Sequence, residues 1–486
     1  MHQRCIRLHD LRCSIHGIPR RRGHVSTHIH TVVASKPRPD PFSTVSPPLT
    51  SLRTNLLTML GSGHPAITEI AKYYFSLPSK QIRPVIVLLI SQATNGLGAD
   101  WSRKLWESQC HGAGGRAEEL NQPLTRPDVL NDWNPEMPDD TRAFDPIFNL
   151  NPGVSHRLPV PTLPPNLAAS TSENATYLTT STLSPSPLQS PPLNLANTVL
   201  PTQLRFAQIV ELLHSASLLH DDVVDGSALR RGAPSAPVAF GNKLSVLGGS
   251  FVLGRTSVAL ARLGDQEVSE LTASIYSDIV EGEIMQTKEI RTDGNGKEIV
   301  NENVHDESPT QKTSTAGKTS SREALNIYLR KTYLKTASLM AKGARCAVVL
   351  GGCKEGEIWK EIAYAYGRNL GMAFQLIDDV LDYESASAAL GKPGGADLGL
   401  GLATGPALYA WEEYPEMGIL IQRMFKEPGD VEKARDLVLR SSGVQRTRML
   451  AQEHADKAKQ VLQDLPESEA RIALEVLTER VIGRKF

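Results

Sequence analysis

Apolar residues recur at helical spacing over most of the chain from residue 51 onward. That period marks amphipathic helices that bury one face. Residues 51–96 read as two helices on either side of SLPSKQIRP. Pro78 and Ser79 break the first, and Pro84 suits the first turn of the second. Residues 203–290 predict several more helices, including GNKLSVLGGSFVLGRTSVALARL and EVSELTASIYSDIVEGEIMQTKE. The period resumes over 323–384 and, after a Gly-rich loop, runs to Phe486. It fails in three places. Residues 1–50 are rich in Arg, His, Ser and Pro, with Asp10 and Asp40 as the only acids. This is the composition of a mitochondrial transit peptide, with no secretory apolar region, and it is excluded from the fold. Residues 97–200 are rich in Pro, Ser and Asn and predict a disordered insert; 291–322 predict a flexible loop. No run of ~18 uninterrupted apolar residues is present, so no transmembrane helix is expected.

The most informative helix is ELLHSASLLHDDVVDGSALRR, Glu211 to Arg231. Asp221, Asp222 and Asp225 stand at i, i+1 and i+4. Positions i and i+4 lie one above the other on a helix, and i+1 is close enough to converge. Three carboxylates aimed at one point repel unless a cation sits between them. Hard oxygen ligands of this kind suit Mg²⁺, which takes its remaining ligands from water and phosphate. The spacing returns in FQLIDDVLD as Asp378, Asp379 and Asp382. Both clusters follow apolar residues (SASLL, FQLI), so the carboxylates face the protein rather than solvent. By contrast, Asp139 and Asp140 in the insert lack a third acid at this spacing.

Cationic groups accompany the acids. Lys80 and Arg83 fall at a helix N-terminus, where backbone N–H groups and the helix dipole also favour an anion. Lys335, with Thr336, lies inside an apolar helix, and a buried ammonium calls for an anionic partner. Gln375 precedes Asp378 and Asp379 by one turn on a compatible face. The net charge of −1 gives no global field for nucleic acid, and no nucleic-acid partner is expected. Five cysteines show neither metal spacing nor a disulfide framework, which fits a reducing compartment.

With both DDxxD clusters, SKQIRP, KTA and GKPGGADL in one order, the chain resembles the trans-isoprenyl diphosphate synthases, nearest to the mitochondrial long-chain (hexaprenyl-type) polyprenyl diphosphate synthases of ubiquinone biosynthesis. The resemblance covers roughly residues 53–96 and 200–486. It implies an all-α, isoprenoid synthase-type helical bundle around a central active-site cavity, with the two DDxxD helices facing each other. It implies that isopentenyl diphosphate is condensed repeatedly onto an allylic diphosphate, farnesyl or geranyl. Mg²⁺ would be held by Asp221, Asp222, Asp225, Asp378, Asp379 and Asp382. Arg230, Lys335 and Lys392 would bind the allylic diphosphate. Lys80, Arg83, His214 and Arg231 would bind that of isopentenyl diphosphate. Thr336 and Gln375 would complete the substrate site, and Asp397, Glu281, Glu283 and Gln286 match further family positions. A homodimer or heteromer in the mitochondrial matrix, or in peripheral contact with the inner membrane, is implied as well.

The chain departs from the family pattern at three positions: Ser79 replaces Gly, Ser250 replaces an Asp, and Leu402 stands where many members have a second lysine. A terpene cyclase would share the metal chemistry but normally has one DDxxD. A non-catalytic partner subunit would typically have lost its Asp clusters. The small residues Ala216 and Ser217, ahead of Asp221, predict an open tunnel and a long product.

Overall fold

The computed structural model describes residues 37–62, 64–111, 120, 124, 198–291, 320–384 and 395–484. These residues form a helical bundle. The N-terminal helices are α1 (Pro41–Thr44), α2 (Ser46–Met59), α3 (Pro65–Ser76), α4 (Ile82–Thr94) and α5 (Trp101–His111). Next come α6 (Pro201–Val224), the strands β1 (Leu229–Arg230) and β2 (Ala233–Pro234), α7 (Ala236–Phe240), α8 (Asn242–Leu263) and α9 (Gln266–Arg291). Then follow α10 (Ser321–Thr332), a π-helical turn (Tyr333–Ala337), α11 (Ser338–Leu350) and α12 (Ile358–Glu384). The chain continues with α13 (Ala396–Gly399), α14 (Gly405–Glu413), α15 (Glu416–Gln422), α16 (Asp430–Arg440), α17 (Gly443–Leu462) and α18 (Glu469–Ile482).

The run VIVLLI explains the centre of the bundle. Every residue from Pro84 to Ser91 in α4 is buried, as expected of a helix apolar on all sides. It packs on α6, α11 and α18. The long helix α6 also packs on α8, and α12 on α11 and α17. Gln203 fixes the start of α6. Its Oε1 accepts from the Leu200 N–H at 3.0 Å, and its amide pairs reciprocally with Asn95 at the end of α4, at 2.8 and 2.9 Å. Cys346 and Cys353 are buried thiols.

Three boundaries differ from the sequence expectation. The folded unit begins at Arg38, not residue 51. Asp40 caps α1, Val45 is fully buried, and Arg38 pairs with Glu479 at 2.8 Å. The region assigned to the insert contributes α5 and the buried Leu120 and Leu124; residues 125–197 lie outside the described part. Helices α9 and α10 end at Arg291 and begin at Ser321, within or at the edge of the expected loop; residues 292–319 lie outside the described part. In addition, α8 is long and apolar enough to cross a membrane by length and composition. It nevertheless packs into the bundle: Gly248 lies against Ile70 and Gly249 against the His220 ring.

Candidate active site

α6 carries the first Asp cluster to the mouth of a cavity of about 790 Å³. Asp221 and Asp225 line it, one turn apart, and α9 supplies Glu283 from the facing wall. Oxygens of these three carboxylates lie within 4.8 Å of one another. Asp222 does not join them. Successive residues on a helix point about 100° apart, and Asp222 turns inward, fully buried. Its carboxylate accepts from the Tyr74 hydroxyl and from the Arg230 guanidinium, with Arg230 Nε at 3.0 Å. The Tyr74 oxygen in turn accepts from the Ala236 N–H at 2.9 Å. Of the sequence reading's trio of Asp221, Asp222 and Asp225, the structure brings Asp221 and Asp225 together with Glu283 instead, and turns Asp222 onto Arg230 and Tyr74.

The π turn stands between the two Asp clusters. Wide turns of this kind recur at functional sites. Lys335 Nζ lies 2.5 Å from Glu283, 3.4 Å from Asp221 and 3.1 Å from Gln286 Oε1. The next residue reaches the other way: Thr336 donates to Gln375 Oε1 at 2.9 Å, and Gln375 donates to Asp379 at 2.9 Å. Asp379 is buried and also accepts from the Tyr328 hydroxyl. It lines the cavity, but its neighbours diverge. Asp378 pairs with Arg484 at 2.9 Å. Asp382 accepts backbone N–H groups of Ala396 and Asp397 at 3.1 and 3.3 Å, at the start of α13. The second cluster thus does not converge as the first does.

A basic group occupies the end of the cavity nearer α4. Arg83 and His214 line it beside Arg230. Arg83 Nε is buried without a hydrogen-bond partner. Burial, then Arg83, Arg231 and Arg230, hold the His214 imidazole well below its usual range, so it is neutral. Glu211, buried beneath, accepts from Ser79 at 3.4 Å and is pushed up by burial. Two residues here have positive φ: Gln81 (48°), between Lys80 and Arg83, and Arg231 (52°). Arg231 and Gly232 (81°) form the two-residue turn of the β1–β2 hairpin, a geometry that demands positive φ at both positions. Lys80 and Arg231 are exposed. Lys392 lies outside the described residues. Of the tunnel residues, Ser217 lines the cavity, whereas Ala216 is fully buried in the main core.

Burial raises several of these carboxylates above their ordinary range. Burial, joined by Asp221, pushes Glu283 up to about 7 despite Lys335. Burial raises Asp225, lifts Asp379 to about 6 and, joined by Asp379 and Asp382, lifts Asp397 to about 7. The Lys335 ammonium is drawn into the first trio. Burial disfavours its charge, but Asp221 and Glu283 outweigh that and raise it. Hard oxygen donors around a single ammonium are a donor set that fits a hard divalent cation.

Tyr74, Tyr328, Glu211 and Arg484 are absent from the sequence reading, and Glu283 is named there only as a family match, without a role. VEGEIMQ carries a signal for Glu283, and a carboxylate within the apolar start of α6 carries one for Glu211. The other three meet the acids only through the fold.

Comparison with known proteins gives the family and the fold. A model of the polyprenyl synthetase family matches residues 189–439. A probable mitochondrial hexaprenyl pyrophosphate synthase of Yarrowia lipolytica is 40% identical, over 96% of this chain and 89% of that protein. The mitochondrial hexaprenyl pyrophosphate synthase of Saccharomyces cerevisiae is 38% identical, over 92% and 91%. A polyprenyl synthase from Caulobacter crescentus, solved with calcium and isoprenyl diphosphate, has the same fold, with a TM-score of 0.59 at 23% identity over 93% of this chain and 100% of that one. On its sequence, its all-α bundle and the residues gathered in its cavity, the chain belongs to the polyprenyl synthetase family.

Proposed function

We propose that the chain is a mitochondrial trans-polyprenyl diphosphate synthase that adds isopentenyl diphosphate repeatedly to farnesyl or geranyl diphosphate, and that the long product becomes the ubiquinone side chain. The observation that carries this reading is the convergence of Asp221, Asp225, Glu283 and Lys335 at one cavity, with Arg83 and His214 at its other end. The names of the relatives support both the product class and the compartment.

Mg²⁺ is the cation we assign to the carboxylates. Asp221, Asp225 and Glu283 would hold it, with Asp379 on the opposite wall; when bound, it neutralises charge developing on the leaving diphosphate. Lys335 and Arg230 bind the same diphosphate, and Asp222 and Tyr74 hold Arg230 in place. Arg83, neutral His214, Lys80 and Arg231 bind and orient isopentenyl diphosphate, which brings its double bond over the allylic carbon. The allylic C–O bond breaks, the double bond of isopentenyl diphosphate forms the new C–C bond, and a proton leaves to the departing diphosphate. The apolar cavity wall excludes water from the carbocation.

Assembly as a homodimer or heteromer is part of this reading. Exposed Val246 and Leu247 on α8 support it, as does a relative in Schizosaccharomyces pombe named subunit 1 of a decaprenyl-diphosphate synthase. The test is the purified chain alone with farnesyl and isopentenyl diphosphates and Mg²⁺. A synthase makes long polyprenyl diphosphates, a cyclase makes hydrocarbons, and a non-catalytic subunit makes nothing. Hydrocarbon products, or no product from the chain either alone or with a partner subunit, overturn the proposal.

A further inference from the structure

Residues 38–50 are built into the bundle rather than trailing from it. Asp40 accepts the Ser43 N–H at 2.7 Å and caps α1. Pro41 and Val45 are buried, and Phe42 and Leu49 pack against the main core. α1 lies on α4 and on α18. Arg38 donates to Glu479 at 2.8 Å across 441 residues of chain. Its guanidinium also lies 3.6 Å from Glu475, and Asp40 lies 2.5 Å from Arg480. Exposed ion pairs of this kind add little stability each. The buried apolar groups hold the contact, and the pairs fix its register. The first described helix is thereby fastened to the last.

The sequence changes character where this segment begins. Upstream of it Asp10 is the only acid; Asp40, the other acid of the first fifty residues, belongs to the fold. The junction reads KPRPDP, with Pro37, Pro39 and Pro41 at every second position. A peptidase grips an extended chain through its backbone N–H groups, and proline offers none and fixes its own φ. The residue before each proline is restricted as well. A chain that enters a mitochondrion N-terminus first presents this junction to a matrix peptidase while α18 is still outside. Docking on α18 cannot protect it at that moment, so the protection has to lie in the sequence. We propose that residues 38–50 are a clamp that the mature enzyme keeps, and that the presequence is cut upstream of Pro37. In that cut water adds across one peptide bond, leaving a carboxylate on the presequence and an amine on the enzyme.

The cut rests on the mitochondrial reading above; the clamp does not, and the test separates them. The full chain is synthesised in vitro and taken up by isolated, energised mitochondria, and the N-terminus of the protease-protected product is read by mass spectrometry. The expected product begins at or before Pro37 and retains residues 38–50. A product that begins beyond Arg38, or an imported chain left uncut, would overturn the proposal. In parallel, purified chains that begin at Pro37 and at Ser51 are compared by thermal unfolding. The shorter chain loses Pro41, Val45 and the Asp40 cap, so its midpoint is expected to fall by about 3 °C or more. Equal midpoints would overturn the clamp. If the chain from Ser51 does not fold, Val45→Ala in the chain from Pro37 decides: a lowered midpoint is expected, and an unchanged one contradicts the proposal. A full chain that mitochondria do not take up would overturn the mitochondrial reading alone, because the two purified chains still test the clamp.

Discussion

At the scale of single residues, the adjacent acids Asp221 and Asp222 do different work. Asp221 sits among like charges, so its removal relieves repulsion and leaves only part-exposed contacts with Lys335 and Arg230 to lose. Asp222 is fully buried against Arg230 and Tyr74. Breaking a buried pair typically costs about 3–5 kcal/mol. Asp222→Ala is therefore expected to lower the urea midpoint markedly, and Tyr74→Phe to do so by about 1–3 kcal/mol. Asp221→Ala should stay within about 1 kcal/mol of the native chain. Equal stability of the Asp221 and Asp222 variants would contradict these roles. The spacing DDxxD made the helix and its acidic end legible. It did not show which acid turns inward, because Tyr74 lies 148 residues from Asp222 and meets it only once α3 packs on α8, which in turn packs on α6.

At the scale of elements, two glycines let helices close on the π turn. A Cβ on Gly282 would lie 2.6 Å from Lys335 Cγ, and one on Gly371 would lie 2.6 Å from Ala337 Cα. The first obstacle is the stem of the Lys335 side chain, with the Lys335 backbone N at 3.1 Å, and the second is backbone. Gly371→Ala is expected to destabilise by about 1–3 kcal/mol through overpacking, read from thermal unfolding. Gly282→Ala is expected to cost a comparable amount, and also to push Lys335 off Glu283 and reduce kcat in the molecules that fold. Native kinetics in Gly282→Ala would show that the contact does not matter. The helices themselves were legible from periodicity and from the prolines at their starts. The π turn was not: an extra residue in one turn leaves the apolar pattern of YLKTASLM unchanged, and only packing against α9 and α12 reveals it.

At the scale of the whole molecule, the cavity determines what the product can be. Legibility here was partial: small residues ahead of Asp221 predicted an open path, but one position of helical phase separates a tunnel wall from the core. Ser217 borders the cavity and Ala216 does not. Ser217→Phe is expected to obstruct the cavity and shift the dephosphorylated products to shorter chains on chromatography. Ala216→Phe should overpack the core, costing about 1–3 kcal/mol, and leave product length unchanged in the molecules that fold. A reversed outcome would mean that the growing chain follows a different face of α6. The position of the first core residues was also hidden, since the basic composition up to residue 50 conceals Val45 and the Asp40 cap.

The central claim is that one carboxylate-lined cavity catalyses chain elongation. Incorporation of labelled isopentenyl diphosphate into long polyprenyl diphosphates, measured side by side for the native chain and Asp221→Ala with the helical circular dichroism signal of each, tests it most directly. The account predicts long products from the native chain, a loss of several orders of magnitude in Asp221→Ala, and the same helical signal in both. Near-native turnover in a folded Asp221→Ala chain would contradict it.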